Sequence, residues 1–254
     1  MVEGIREHLG DVVGRLGAPL IERISRARHG RTFHPEGLTF EARVEPLRPG
    51  LAEDLGTRAL VRLSPALWRG LHERFEVLGM ALRFRQSTAP FDAQPRPGDT
   101  ELLTATIRSR LTMAFSAFLT DASDFAGNTY WAVSPFEYDG ERFEVRLVAI
   151  DPLETEGTRT ERLLDAVDAG RAQWWLETRR TLRLAWHPLA RIALTREVPV
   201  DQEALRFDPF RGVLRPVGFV HAIRRAVYAA SQAGRPAHGP RGAARTRHSA
   251  SGRL

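Results

Sequence analysis

The most regular hydrophobic pattern in the chain begins directly after Gly37. Apolar and polar residues alternate over residues 38–45, from Leu38 to Val44, which is the period-two pattern of a β-strand with one buried face. Gly37 offers a flexible corner in front of this strand, and His34 precedes the corner. The pattern therefore predicts a sheet that begins beside His34, with the imidazole aimed at whatever the sheet encloses.

Further strand-like segments follow along the chain. Short runs rich in apolar, β-branched and aromatic residues predict strands, and Asp139-Gly140 predicts a hairpin turn between two of them. The predicted strands cover residues 38–44, 59–64, 76–85, 100–107, 130–136, 142–150, 180–186 and 191–198. In residues 76–85 one face carries large apolar side chains and the other carries Gly79 and Ala81. The small residues leave room for a ligand or another element. Eight mostly antiparallel strands predict a closed barrel whose interior holds side chains or one ligand.

Apolar residues at three- and four-residue spacings predict helices outside this barrel. The predicted helices cover residues 3–28, 111–119, 160–175 and 219–231, the first of them divided near Gly17 and Pro19. Three prolines within residues 86–99 predict a long loop. The predicted fold class is therefore α+β, an eight-stranded antiparallel β-barrel with flanking helices.

The chain of 254 residues suits one large domain around a single core. We predict an N-terminal helical segment over residues 1–30, the barrel domain with a C-terminal helix over residues 31–236, and a disordered basic tail over residues 237–254. There are 37 basic and 31 acidic residues, but residues 235–254 hold five arginines and no acid. Because the remaining chain is almost neutral, its charge argues against specific nucleic-acid binding.

Two residue types are missing from the chain. Every basic residue is an arginine, and there is no cysteine. The absence of lysine excludes P-loop and Schiff-base enzymes, and the absence of cysteine excludes disulfides, thiolate nucleophiles and iron–sulfur clusters. No zinc-type ligand spacing and no Gly-x-Ser-x-Gly elbow occur. With neither a long apolar run nor a signal-peptide pattern, we expect a cytoplasmic protein without a membrane span.

Several short motifs occur in a characteristic order. They are Arg31-x-x-His34-x-x-Gly37, Val61-Arg62-x-Ser64, Gly79-x-Ala81-x-x-Phe84, Phe207-Asp208-Pro209 and Arg224-x-x-x-Tyr228. In order and approximate spacing these motifs resemble those of the haem catalases, over most of residues 31–235. Each motif alone is unspecific, whereas their common order is much less expected by chance.

The resemblance implies a bound haem b and gives individual residues roles. Tyr228 would ligate the haem iron as a phenolate, with Arg224 one helical turn earlier favouring the anion. His34 would be the general base that moves a proton between the two peroxide oxygens, and Ser64 would hold its other ring nitrogen. Arg31 and Arg62 would neutralise the haem propionates. Arg235 falls where the family often carries an arginine after the tyrosine.

The same residues also have ordinary structural explanations. Ser64 fits the N-cap of a short helix, and Tyr228 fits a core tyrosine on an amphipathic helix. His34 fits an exposed or hydrogen-bonded residue beside a turn, and Arg31 and Arg62 fit exposed cations at strand ends.

The chain departs from the catalase pattern on its fourth predicted strand. Catalases place an asparagine there, within an Asp-Leu-x-Gly-Asn-Asn run, whereas residues 101–106 read Glu-Leu-Leu-Thr-Ala-Thr. We expect a hydroxyl of Thr104 or Thr106 to take the place of the amide. The chain is also much shorter than a typical family member, so it is most similar to the minimal, catalase-related branch.

The resemblance implies haem-dependent activation of hydrogen peroxide or an organic hydroperoxide, by a peroxidase with weak catalase activity. One alternative is the rearrangement of a fatty-acid hydroperoxide, as in allene oxide synthase, which shares the fold. Another is a haem-free barrel that binds an apolar ligand. Kinship of fold does not fix the reaction. The opening helices and the basic tail would suit contacts between the subunits of a homo-oligomer.

Overall fold

The computed structural model describes residues 37–66, 73, 75–109, 115–132, 134–151 and 156–217. The strands within these residues are β1 (Leu38–Pro46), β2 (Arg58–Pro65), β3 (Leu78–Arg85), β4 (Thr100–Ala105), β5 (Tyr130–Trp131), β6 (Phe136–Tyr138), β7 (Glu141–Ala149), β8 (Gln173–Arg180), β9 (His187–Glu197) and β10 (Arg215–Pro216). The helices are α1 (Leu51–Leu55), α2 (Ser116–Leu119) and α3 (Arg159–Asp168). None of these described helices has the length and apolar composition needed to cross a bilayer. The helices predicted over 3–28 and 219–231, the basic tail and both predicted domain boundaries lie outside the described residues.

Eight of the strands close into a barrel. Neighbouring strands are antiparallel throughout, in the order β7-β5-β4-β3-β2-β1-β9-β8, and the pairing of β7 with β8 completes the ring. Strand β6 pairs with β7, and β10 extends the sheet beyond β6. The predicted eight-stranded antiparallel barrel is therefore confirmed.

Apolar side chains occupy the interior of the barrel. Successive residues of a strand point to opposite faces, and one face of each long strand contributes to a single buried cluster. The largest members of this cluster include Trp174, Tyr130, Phe40 and Phe84, all fully buried. Each such large apolar side chain contributes about 1.5–3 kcal/mol through its burial. Side chains of the described strands therefore fill the interior of the barrel.

The first half of the barrel follows the predicted pattern closely. Strands β1 to β4 coincide with the predicted segments to within a few residues, and residues 86–99 form neither strand nor helix. The hairpin between β6 and β7 is also confirmed, because Asp139 and Gly140 both have positive φ, at 50° and 74°, as a type I′ turn requires. The segment 130–136 is split into β5 and β6, and the break contains Pro135, which has no N–H to donate.

The helix predicted over residues 160–175 is wrong at its C-terminal end. Helix α3 ends at Asp168, and Gly170 follows with a φ of 67°, the left-handed conformation that commonly terminates helices. Residues from Gln173 onward form β8, in which Trp174 is buried and Trp175 is partly exposed. Adjacent tryptophans on opposite faces conceal the alternation, which explains why the sequence pattern favours a helix there.

The last predicted strand pair is displaced as well. Strand β8 pairs with β9, and residues 181–186, predicted to be a strand, connect the two. His187 and Pro188, expected to separate two strands, instead begin β9. A register shift lies between Leu176 and Glu177, and the second of these is paired with Pro188, so the missing proline N–H falls at an irregularity where it is tolerated.

Candidate functional site

Two of the predicted site residues lie on strand β2. Arg62 and Ser64 are separated by one residue, so they share a face of the strand, and both are only 3% exposed. The other predicted residues lie outside the described part of the chain, and their roles stay predictions: His34, Arg31, Arg224, Tyr228 and Arg235. The helix for which Ser64 would be an N-cap also lies outside it.

Arg62 and Ser64 lie on the outer face of the barrel, because Leu63 between them belongs to the interior cluster. Antiparallel pairing places Ser64 opposite Gly79 on β3, and Gly79 opposite Ala105 on β4. We call these three residues, Ser64, Gly79 and Ala105, the small-residue row. The predicted small face of the third strand is therefore confirmed. Along this row, no side chain larger than a hydroxymethyl group separates a ligand from the backbone of the sheet.

The neighbouring row on the same face carries the positive charge. Arg62 lies between Thr39 on β1 and Ala81 on β3 in the strand register. Its Nε donates a hydrogen bond of 2.9 Å to Oε1 of Gln202. A guanidinium is always protonated in proteins, so a buried, fixed cation lies directly beside the small-residue row. The prediction of Arg62 as an exposed strand-end cation is thus wrong.

Gly37 is required for space at this site. A Cβ added to Gly37 would lie 2.6 Å from Cζ and 2.7 Å from Nη2 of Arg62, and 2.8 Å from the carbonyl oxygen of Leu63. The sequence pattern suggested a flexible corner. The structure shows instead that the absence of a side chain lets the guanidinium of Arg62 lie against the backbone at the start of β1.

Gly37→Ala is expected to destabilise the protein by about 1–3 kcal/mol, since overpacking at a fixed site forces its neighbours to move. The change is best measured by urea denaturation in two backgrounds, wild type and Arg62→Ala. Part of the penalty should disappear in the second background, because the guanidinium is one of the two groups that the new Cβ meets. An equal penalty in both backgrounds would show that Arg62 is not the obstacle.

The threonines expected to replace the missing amide do not lie in the row. Thr104 shares the interior face of β4 with Leu102 and donates to the carbonyl oxygen of Met80 at 2.8 Å. Thr106 accepts the N–H of Leu78 and forms a hydroxyl–hydroxyl contact of 2.7 Å with Thr120. Both hydroxyls are therefore already hydrogen-bonded within the protein. The expectation that the hydroxyl of Thr104 takes the place of the amide is wrong, because this side chain points into the barrel. The residue of this run that lies in the small-residue row is Ala105, whose side chain has no polar group.

Buried ion pairs that the sequence did not indicate occupy the other end of this face. Arg83 pairs with Glu101 at 2.5 Å and Arg85 pairs with Asp99 at 2.6 Å, and none of the four is more than 2% exposed. Both arginines also donate to carbonyl oxygens of residues 89–93. The pairs thereby hold the long loop against β3 and β4, the strands that carry Gly79 and Ala105.

The net pKa shift has opposite directions for the two acids of these pairs. Burial raises the pKa of Asp99, but the hydrogen bonds from Arg85 and from the backbone N–H of Arg96, together with the charge of Arg85, outweigh it and hold that pKa below its ordinary value. The same contact raises the pKa of Arg85. Burial raises the pKa of Glu101, and the charge of Arg83 opposes this without reversing it. The charge of Arg83 is thus the largest of the influences that lower the pKa of Glu101 against the effect of burial.

The sequence matches no protein-family profile and no curated protein sequence. The structure, in contrast, is similar to those of catalases. A fungal catalase matches with a TM-score of 0.55 and 10% sequence identity, over 81% of this chain and 59% of the catalase. A bacterial catalase matches with a TM-score of 0.52 and 12% identity, over 81% of this chain and 57% of the catalase.

The closed eight-stranded barrel and these likenesses together define a catalase-like fold. The chain spans less than two thirds of the length of either catalase. At this level of identity the likeness establishes the fold alone, and the assignment to the minimal, catalase-related branch stays a prediction.

Proposed function

We propose that this protein binds haem b against the outer face of β1 to β4 and activates hydrogen peroxide or an organic hydroperoxide, as a peroxidase with weak catalase activity. The observation that carries the proposal is the small-residue row beside the buried guanidinium of Arg62. The catalase-like fold supports it.

The small-residue row suits a flat group that carries a carboxylate. A planar ring can approach the strand backbones closely where only Ser64, Gly79 and Ala105 intervene. The planar guanidinium of Arg62 matches a carboxylate in shape and charge. Haem combines both features, a planar macrocycle and propionate groups. When bound, it would supply the iron that activates the peroxide bond.

The iron ligand in this proposal is Tyr228. A phenol with its ordinary pKa near 10 is protonated at neutral pH, so a nearby cation is needed to favour the phenolate. Arg224, one helical turn earlier in the predicted helix, supplies that cation. Arg31 joins Arg62 at the propionates, and Arg235 adds a further positive charge after the tyrosine.

His34 and Ser64 would handle the proton of the peroxide. His34 is three residues before Gly37, which lies against Arg62 and Leu63. Three residues of extended chain span about 10–11 Å, a length that would let the imidazole of His34 reach the small-residue row in this proposal. An imidazole that titrates near neutrality can accept a proton from one peroxide oxygen and return it to the other. The hydroxyl of Ser64 would hold its second ring nitrogen.

Ala105→Asn is expected to raise the rate of hydrogen peroxide disproportionation about tenfold. The substitution adds a hydrogen-bond donor to the row at the position that now lacks a polar group, and one such bond contributes about 1–1.5 kcal/mol. Oxygen evolution by the haem-loaded protein measures the effect. Ala105→Leu is the size control and should lower the rate. An unchanged rate in Ala105→Asn with normal haem content would argue against the row as the peroxide site.

A second candidate function is the rearrangement of a fatty-acid hydroperoxide, and exposed aromatic residues near the row favour it. Phe75 and Phe118 are 59% and 70% exposed and meet edge to face, with ring centroids 5.0 Å apart. Thr120, two residues after Phe118, contacts Thr106, the residue that follows Ala105. An apolar surface at this end of the barrel suits a substrate with a hydrocarbon chain. The haem-free alternative has less support, because side chains occupy the barrel interior of the described strands.

Assays with haem-loaded protein distinguish these functions. The protein is treated with hydrogen peroxide, cumene hydroperoxide and a fatty-acid hydroperoxide, each with a reducing dye, and the products are identified. Peroxide-dependent dye oxidation well above that of free hemin supports the leading proposal. A rearranged fatty acid without dye oxidation supports the second candidate. Activity no greater than that of free hemin would exclude both. The cytoplasmic location and the homo-oligomer are not addressed by these assays and stay predictions.

A further inference from the structure

The side chain of Gln202 bridges two neighbouring strands beside the small-residue row. Its Oε1 accepts from Nε of Arg62 on β2 at 2.9 Å, and its Nε2 donates to Oγ1 of Thr39 on β1 at 2.7 Å. Thr39 and Arg62 are directly opposite each other in the strand register. One amide therefore satisfies a donor of the arginine and ties it to the adjacent strand.

The backbone that carries Gln202 is itself fixed to the barrel. The N–H of Val198 donates to the carbonyl oxygen of Thr39 at 2.8 Å. The carboxylate of Asp201 accepts the N–H groups of Glu203 and Ala204, at 2.9 and 3.1 Å, which forms a local turn. Leu205 is fully buried in a small apolar cluster against the outer face. Gln202 is thus held between two anchored points.

These contacts restrict the guanidinium of Arg62 on two sides. Gln202 holds Nε, and the backbone at Gly37 lies against Cζ and Nη2, since no Cβ would fit there. A free arginine side chain carries about 2 kcal/mol of rotamer entropy, and a side chain ordered in advance does not lose that entropy on binding a ligand. The fork geometry of a fixed guanidinium also selects a carboxylate in one orientation.

We infer that Gln202 is a positioning residue, which holds the guanidinium of Arg62 in the orientation that pairs with a carboxylate of the bound ligand. This inference rests on the proposed function, in which the carboxylate is a haem propionate. Gln202 touches neither the iron nor the peroxide, so it acts only through Arg62.

The chain contains a matched pair on β8 and β9. Arg191 on β9 donates from Nε and Nη2 to Oε1 of Gln173 on β8, at 3.0 and 2.6 Å. This pair has the same chemistry but lies on strands that carry none of the small-residue row. Gln173→Ala therefore removes an arginine–glutamine contact without changing the proposed site.

The test compares hemin with hemin dimethyl ester, in which both propionates are blocked. Dissociation constants of the full-length protein for both compounds are measured by absorbance titration, and thermal unfolding of the ligand-free variants reports folding. Gln202→Ala is expected to weaken hemin binding about tenfold, which corresponds to about 1.4 kcal/mol, and to change binding of the ester less than about twofold. Gln173→Ala should leave both constants within about twofold.

The outcomes separate the inference from the proposed function. Unchanged hemin binding in Gln202→Ala, or an equal loss for hemin and its ester, would overturn the positioning role while leaving the haem site intact. A wild-type protein that binds neither compound would overturn the proposed function and this inference together. If Gln202→Ala fails to fold, Gln202→Glu serves instead. The carboxylate of the new glutamate still accepts a hydrogen bond from Arg62, but it competes with the propionate for the guanidinium. Hemin should therefore bind more weakly, whereas binding of the ester should not change.

Discussion

Replacing Arg83 with leucine is expected to lower the free energy of unfolding by about 3–5 kcal/mol at pH 7, the range expected when one partner of a buried ion pair is removed. Arg83 and Glu101 are both fully buried, and Arg83 is the ion-pair partner closest to that carboxylate. Leucine would leave the charge of Glu101 without its nearest counter-ion. It would also remove the donors that now bind loop carbonyl oxygens.

The penalty should depend on pH in a defined direction. Burial already raises the pKa of Glu101 against the opposition of Arg83, so loss of Arg83 raises that pKa further. Between the ordinary glutamate pKa of about 4.3 and this higher value, the folded state holds a proton that the unfolded state lacks. Stability of the variant therefore falls as pH rises through this window, and the penalty should be smaller at pH 5 than at pH 7.

Urea denaturation at the two pH values measures both effects. Arg180→Leu is the control, because its pair with Glu141 is largely exposed, at 66% and 52%, and such pairs contribute less than about 1 kcal/mol. A double variant with Arg83→Met and Glu101→Met should recover part of the stability that Arg83→Leu loses, since no unpaired charge is left. A loss in Arg83→Leu no larger than that in Arg180→Leu would contradict the assigned role of the buried pair.

His34→Ala is expected to slow the reaction of the haem-loaded protein with hydrogen peroxide by about 10²- to 10⁴-fold, the range that general acid–base catalysis contributes. Alanine cannot accept the proton of the attacking peroxide or return it to the leaving oxygen. Ser64→Ala should have a smaller effect, because it removes only the group proposed to orient the imidazole. Stopped-flow absorbance gives the second-order rate constant.

The chain offers a matched control for this variant. His187 is exposed at the start of β9, on a strand that carries none of the small-residue row, and His187→Ala should react at the wild-type rate. The resting absorption spectrum shows whether each variant retains haem. A rate within about threefold of wild type in a haem-containing His34→Ala protein would remove the histidine from the proposed proton transfer.

The first half of the barrel is predictable because its strands have two unlike faces. In β3, Leu78, Met80, Leu82 and Phe84 face the interior while Gly79 and Ala81 face outward, so the alternation is visible in the sequence. Strand β8 is not predictable in this way. Trp174 and Trp175 are adjacent and apolar although only the first is buried, and a run of large apolar residues fits a helix equally well.

In the described part of the candidate site, some features are likewise predictable from the sequence and others are not. Ser64 and Arg62 follow from a short motif within one strand, and the small face of β3 follows from its composition. The contact between Arg62 and Gln202 joins residues 140 positions apart, and the bond from Asp208 N–H to Glu101 spans 107. Such partners are brought together only by barrel closure and by the return of the chain over the outer face, which no local pattern reports.

The proposed iron site can be tested by the absorption spectrum of the full-length protein loaded with hemin, recorded for wild type and Tyr228→Phe. Phenylalanine keeps the ring but removes the oxygen that would ligate iron. We predict a Soret band with the features of high-spin ferric iron bound by tyrosinate in the wild type, and loss of those features in the variant. A wild-type protein without a Soret band, or an identical spectrum in Tyr228→Phe, would contradict the proposal.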